Sequence, residues 1–325
     1  MTRRSRVSGT AFRMSSSNTE PHHFRRRWLL RLGRVLVAAR FAARPTLGQA
    51  ASQEHREVVI VVSDEGDLTR KVVADLRRRL PRAEVGDIKV LTPRRALVIA
   101  VGPAALRSVM AASVDGPVIS IFTSSQVYHS ILETATGRRP ASTAIYAEPS
   151  PTAQLRLVRL LFKRPIRTTV VLGGRTTFLE SLLQRAAAEA RIPLTVENYE
   201  LDDSISRILG RSGESHAILA IPDSLVFTSD NLRTVLLTTY RNGQAVIGFS
   251  AALVRAGALA TTFSEVEDIN AQLEELVSAY EGSGQLPAPQ FPKYFRTLIN
   301  EDVARSLNVV IDDAVRAFAN RPEKR

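Results

Sequence analysis

Short apolar runs recur along this chain, each followed by polar or small residues and then by a stretch with helical spacing. Val58 to Val62, Leu97 to Val101 and Val118 to Phe122 form one set. Thr169 to Leu172, Ala217 to Ile221 and Ala245 to Phe249 form a second, in the same order. Runs that are continuously apolar and rich in β-branched residues read as strands buried on both faces, and helices between them imply parallel βαβ units. The stretch Ser142 to Phe162 separates the two sets. The pattern therefore predicts an α/β chain of two lobes, each with its own parallel sheet, and a cleft between them. Corresponding strands are offset by 112 residues from Val58 to Val170 but by 128 from Val118 to Val246, so the topology repeats and the sequence does not.

The first lobe is expected to run from strand Val58 to Val62 through the polar turn Ser63 to Asp67 into a helix over 68–80, whose end carries Arg77, Arg78 and Arg79. Positive charge there complements the helix dipole. Gly102-Pro103 after the second run suits a tight turn into a helix and offers backbone N–H groups toward an anionic group. Thr123-Ser124-Ser125 after the third run supplies a helix N-cap and hydroxyls. The second lobe is expected to hold helices over 152–162 and 178–191, strand Leu194 to Asn198, and Asp202-Asp203 as the cap of the next helix. A strand over 259–263, a helix over 265–280, a proline-rich linker over 282–292, a strand over 294–299 and a helix over 300–307 follow, with 316–325 as a loose tail.

Charge changes this picture at one end only. Residues 1–51 hold eleven arginines against the single Glu20, a net of +10, leaving +2 of the total +12 for the remaining 274 residues. With no basic run interleaved with aromatics in the body, nucleic-acid binding has no support. The leader has a basic start, an apolar middle from Trp28 to Ala43 and small residues at Leu47-Gly48-Gln49-Ala50-Ala51, the outline of an export signal cleaved near Ala51. Arg31, Arg34 and Arg40 interrupt the middle, which falls short of the ~20 residues of a membrane span. Arg26-Arg27-Trp28-Leu29-Leu30 resembles a twin-arginine signal, with Arg25 where a hydroxyl residue is usual.

Chemistry is conspicuous for what is missing. There is no cysteine, hence no disulfide, thiolate nucleophile, cysteine-ligated zinc or lipid-anchored cysteine. No GxxxxGK[ST], GxGxxG or HExxH occurs, and the few histidines are scattered. Gly248-Phe249-Ser250-Ala251-Ala252 comes nearest to a nucleophile elbow but has Ala where the second Gly belongs, so Ser250 reads better as a helix cap. The weight falls on binding without chemistry, with no cofactor and no metal.

Four segments taken together, Ala217-Ile-Leu-Ala-Ile-Pro-Asp-Ser, Ala245-Val-Ile-Gly-Phe-Ser, Val254-Arg-Ala-Gly-Ala-Leu-Ala and Leu298-Ile-Asn-Glu-Asp-Val-Ala-Arg-Ser-Leu, resemble the ABC-transporter substrate-binding proteins that include aromatic amino-acid (tryptophan-type) members. The resemblance spans about residues 56–312. It implies a type I periplasmic-binding fold: two Rossmann-like lobes, a three-stranded hinge, and a small solute trapped in the cleft for an ABC permease. It also implies export to the periplasm; the missing cysteine leaves no lipid anchor there, and a monomer is expected. Ligands of open α/β sheets sit outside the carboxyl ends of the strands, which agrees with the residue pattern.

The lobes are then expected over 52–145 plus about 264–285, and over 146–263 plus about 286–312, with 1–51 as leader and 313–325 as tail. Chain crossings are expected near 143–147, 262–265 and 282–292. Candidate ligand contacts are Ser63, Gly102, Thr123, Ser124, Tyr146, Arg175, Asp223 and Ser250. In the resemblance Gly102-Pro103-Ala104-Ala105 matches a Thr-Pro-Ala-Ala-like turn, and Pro222-Asp223 a turn whose Asp lies at the ligand, where it would meet an amine. Ser124-Ser125 and Gly173-Gly174-Arg175 depart from the family. Arg175 either points into the cleft, favouring a carboxylate-bearing solute, or is a solvated loop charge. Two other roles stay open on sequence: a sensor that binds without transport, and a twin-lobe enzyme such as a glycosyltransferase.

Overall fold

The computed structural model describes residues 57–86, 88, 95–200 and 202–321. The expected leader lies outside them. The first sheet has five strands, β1 (Val58–Val61), β2 (Glu84–Gly86), β3 (Leu97–Val101), β4 (Val118–Thr123) and β5 (Ser142–Tyr146), in the order β2-β1-β3-β4-β5 and all parallel. Its central strands β1, β3 and β4 are mostly apolar because both faces are covered and successive side chains point to opposite faces. Ile60, Ile99 and Ile119 meet helices α1 (Asp67–Arg79) and α9 (Val266–Ser283), while Val59, Val98 and Val118 meet α2 (Gly102–Ala111) and α3 (Ser125–Thr134). Each fully buried aliphatic side chain in these layers stabilises the fold by about 1.5–3 kcal/mol.

The second sheet repeats the plan. Strands β6 (Thr168–Gly173), β7 (Leu194–Tyr199), β8 (Ala217–Leu219), β9 (Ala245–Ile247) and β10 (Ala260–Phe263) stand in the order β10-β9-β8-β6-β7, parallel, with β11 (Arg296–Ile299) added antiparallel beside β10. One face packs on α4 (Pro151–Phe162) and α5 (Glu180–Ala190). The other packs on α6 (Ile205–Arg211), α7 (Ser229–Arg241) and α8 (Ala251–Arg255). The chain is thus two α/β lobes, and the parallel order puts the carboxyl ends of each set of strands on one side of its sheet.

Three segments cross between lobes, and side chains bind them together. Strand β5 runs on through Tyr146, so the first crossing begins at Ala147, the far end of the expected stretch 143–147; its N–H donates to the Thr123 carbonyl at 3.0 Å. The second lies between β10 and α9. The third follows α9, and on its way Gln290 adds a bridge to the edge of the first sheet: its N–H donates to the Ala144 carbonyl and its carbonyl accepts from Tyr146 N–H, both at 2.9 Å. Gln272 of α9 clamps this segment. Its amide donates to Gln290 Oε1 at 2.9 Å and the Phe291 carbonyl at 3.3 Å, and its Oε1 accepts from Lys293 N–H at 2.8 Å. The Ser264 hydroxyl joins the second crossing to the third through the Tyr294 carbonyl at 2.6 Å.

Several local expectations change. Ser204, not the preceding aspartates, caps α6 by accepting from Arg207 N–H, while Asp203 turns back to accept from Glu200 N–H. The serine wins because it sits one residue before the first helical turn, where its oxygen reaches the orphan N–H groups. The tail is anchored at least to Asn320: beyond α10 (Glu301–Ser306), α11 (Asp313–Arg316) buries Val315 against the second lobe, and Asn320 exchanges two backbone hydrogen bonds with Phe295. Among the described residues no helix is long and apolar enough to cross a membrane.

Candidate functional site

The carboxyl ends of β4 and β5 bring together buried polar and aromatic groups. Strand β4 ends with a register shift at Phe122, whose φ of 56° lies in the left-handed region. A bulky residue there costs about 1–3 kcal/mol, strain that clusters where backbone must be aimed. Here the shift lets Thr123 pair with Tyr146 and delivers Ser124 as the cap of α3, accepting from Val127 N–H at 3.4 Å. Thr123 is buried, with its hydroxyl accepting from Ser120 at 3.1 Å.

Glu148, just past β5, is 4% exposed and takes the first N–H of α3, from Ser125, at 2.8 Å and 3.1 Å to its two oxygens. Burial raises its pKa above the usual carboxylate range, against the opposing pull of those hydrogen bonds. Tyr146 is buried between the rings of Phe291 and Tyr128, with its hydroxyl 3.3 Å from His129 Nε2. Burial pushes the Tyr146 phenol up and the His129 imidazole down, so both are neutral groups in the neutral range.

In the second lobe the matching feature is Asp223, which is 3% exposed. Its Oδ2 accepts from Gly173 N–H at 3.0 Å and the Thr176 hydroxyl at 2.6 Å; its Oδ1 accepts from Leu225 N–H at 2.8 Å and Val226 N–H at 3.1 Å. All four acceptor positions of the carboxylate are filled from within the lobe. The expectation that this group meets a solute amine therefore has no free oxygen behind it. Asp223 instead ties the turn after β6 to the turn after β8. Gly173 makes the tie possible, since a Cβ there would stand 2.7 Å from Asp223 Oδ2.

These two turns face α3. Ser224 N–H donates to Gln126 Oε1 at 3.2 Å, and the Phe178 ring lies against that of His129 with centroids 4.4 Å apart. Gln126 and His129, three residues apart on one helical face, thus reach across to the second lobe. Gln126 is 5% exposed, yet its Nε2 has no hydrogen-bond partner among the described residues.

The other expected contacts are more scattered. Gly102 has a φ of 82°, open to glycine and strained for other residues, and begins α2 at the end of β3. Ser250 caps α8 by accepting from Leu253 N–H at 3.2 Å. Ser63 lies in an exposed bend after β1, and Arg175 is exposed in the turn after β6. Each stands at the carboxyl side of a sheet, apart from the α3 cluster. Sequence reasoning misses Gln126, Glu148 and Phe178, and reads His129 as a scattered surface or packing histidine. Only the helical spacing of Gln126 and His129 behind the Ser124 cap offered a signal. No group of three or more metal-ligating side chains exists among the described residues.

No protein-family model and no curated protein sequence matches the chain. Solved structures do. One is an ABC domain from Streptococcus pneumonia in complex with L-Trp, with a TM-score of 0.53 at 13% identity over 81% of this chain and 98% of that one. A conserved domain protein from Vibrio cholerae gives a TM-score of 0.51 at 17% identity over 81% and 98%. The ligand-free, open structure of a substrate binding protein with adhesive properties from Clostridium difficile gives 0.55 at 12% identity over 80% and 97%. At these identities the likeness establishes the fold, the two-lobed type I periplasmic-binding arrangement, over nearly the whole length of those chains.

Proposed function

We propose that this chain is an extracytoplasmic solute-binding protein that captures a small polar solute between its lobes and delivers it to an ABC-type permease of the inner membrane. The observation that carries the reading is the bridge from the first turn of α3 to the 223–226 turn. It joins the carboxyl sides of the two parallel sheets, where open α/β folds take their ligands. The chain acts by binding and closure and performs no reaction. Gly102, Ser124, Tyr146, Arg175 and Ser250 frame the cleft, with Ser63 and Thr123 at its margin; Asp223 contributes by holding its turn. An amino acid or related carboxylate fits this reading, in line with the L-Trp bound in one structural neighbour.

The basic leader with small residues before Ala51 supports export to the periplasm, where the chain acts as a free monomer. Calorimetric titration of the purified protein with amino acids, aliphatic and aromatic carboxylates and pentoses, alongside native mass spectrometry for a retained solute, tests the function. Saturable binding of one stoichiometric solute is the expected result. No heat with any compound and no retained mass would refute it.

A further inference from the structure

We infer that Gln126 reads a hydrogen-bond acceptor on the solute, so that this point of the cleft takes a carbonyl, carboxylate or hydroxyl oxygen and not an ammonium group. The inference rests on the solute-binding reading above and deepens it. The orientation of the amide is fixed from across the cleft: Ser224 N–H at 3.2 Å needs an oxygen, which places Oε1 there and leaves Nε2 as the other end. That Nε2 is a donor in a residue 5% exposed, with no acceptor among the described residues. A buried donor left unmade is costly, so the site is built for a group that supplies the missing acceptor.

The carboxylates nearby do not compete for that role. Asp223 has its oxygens filled by Gly173, Thr176, Leu225 and Val226, and Glu148, itself buried, shares the Ser125 N–H between its two oxygens. A solute ammonium would therefore find no open oxygen on Asp223, whereas a solute oxygen would complete Gln126. The same side chain then serves closure: Oε1 holds the second lobe while Nε2 holds the solute, so the solute and the interlobe bond favour one arrangement of the amide. A ligand drives closure only through such differential contact.

Gln126→Glu tests this in the full-length protein. The variant keeps an oxygen for Ser224 and exchanges the donor for a second acceptor. The probes are succinate, 3-phenylpropionate and D-ribose, which offer oxygen acceptors without an amine, and phenethylamine and putrescine, which offer amines without such oxygens. Calorimetry should find at least one of the first group binding the unmodified protein, its affinity at least about tenfold weaker in Gln126→Glu, as expected when a hydrogen bond becomes a repulsive pair. The amines should bind the variant more tightly than they bind the unmodified protein, a reversal that a merely structural role would not produce. Gln126→Met, which lacks both polar ends, should lose the oxygen-bearing probe without gaining the amines and stands in if the glutamate variant does not fold. Amines binding the unmodified protein more tightly than the oxygen-bearing probes, or an unchanged affinity in both variants, would overturn the inference while leaving solute binding intact. No binding by any probe and no retained solute would overturn the solute-binding reading and this inference with it.

Discussion

Asp223→Asn should destabilise the second lobe by about 2–4 kcal/mol, although it changes one atom. The carboxylate accepts four hydrogen bonds at 3.0, 2.6, 2.8 and 3.1 Å from a position 3% exposed. An amide keeps only one of the two oxygens. If its nitrogen replaces Oδ2, the Thr176 hydroxyl can rotate to accept, but Gly173 N–H then faces an N–H group. If it replaces Oδ1, both Leu225 and Val226 N–H groups lose their acceptor. The cheaper orientation leaves one buried donor unmade, about 1–3 kcal/mol, and removes the charge assistance from the remaining bonds, about 1 kcal/mol more. In a chain of this size each kcal/mol moves the thermal midpoint by about 2–4 °C, so differential scanning calorimetry should record a fall of roughly 5–10 °C. A midpoint within about 1 °C of the unmodified protein would refute the view that Asp223 is a saturated structural tie, because a carboxylate with free, solvated oxygens tolerates this change.

Glu148→Gln should change how stability depends on pH. Burial raises the folded-state pKa of Glu148, so its contribution is fully present below the ordinary carboxylate value and is lost as pH rises through the raised one. The variant keeps an oxygen for Ser125 N–H and carries no charge, and urea titrations from pH 4 upward should show the unmodified protein losing stability relative to it as pH increases. A constant difference would contradict the assignment. Gln272→Leu should leave Lys293 N–H without its acceptor at 2.8 Å and release the third crossing. Hydrogen exchange over 290–295 should then accelerate by at least about tenfold, the equivalent of about 1.4 kcal/mol. Unchanged protection would show that Gln272 is not what holds the hinge segment.

How far the sequence spoke depended on what each element buries. Strands β1, β3, β4, β6, β8 and β9 are legible because both faces meet helices and nearly every residue is apolar. Strand β2, Glu-Val-Gly, gives no such signal: it is a three-residue edge strand, half exposed, held by backbone pairing with β1. Helix caps at Ser124 and Ser250 follow from local chemistry and stand as read, whereas at 202–204 three adjacent capping residues compete and geometry selects the serine. The site was harder. Position alone marked Asp223 as a carboxylate at a strand end, but the four donors that occupy it come from as far as 50 residues away. Gln126 meets Ser224 across a separation of 98 residues, and no local pattern announces such a pairing.

Closure of the two lobes around a solute is the central claim, and a distance between them tests it. The chain has no cysteine, so Ala104→Cys at the start of α2 and Glu180→Cys at the start of α5 give one spin label per lobe at exposed positions without removing a native thiol. Double electron–electron resonance on this pair, with and without a solute shown by calorimetry to bind, reports the opening directly. The account predicts a broad distribution without solute that narrows and shifts to shorter distance at saturation. Superimposable distributions in the two samples would contradict it.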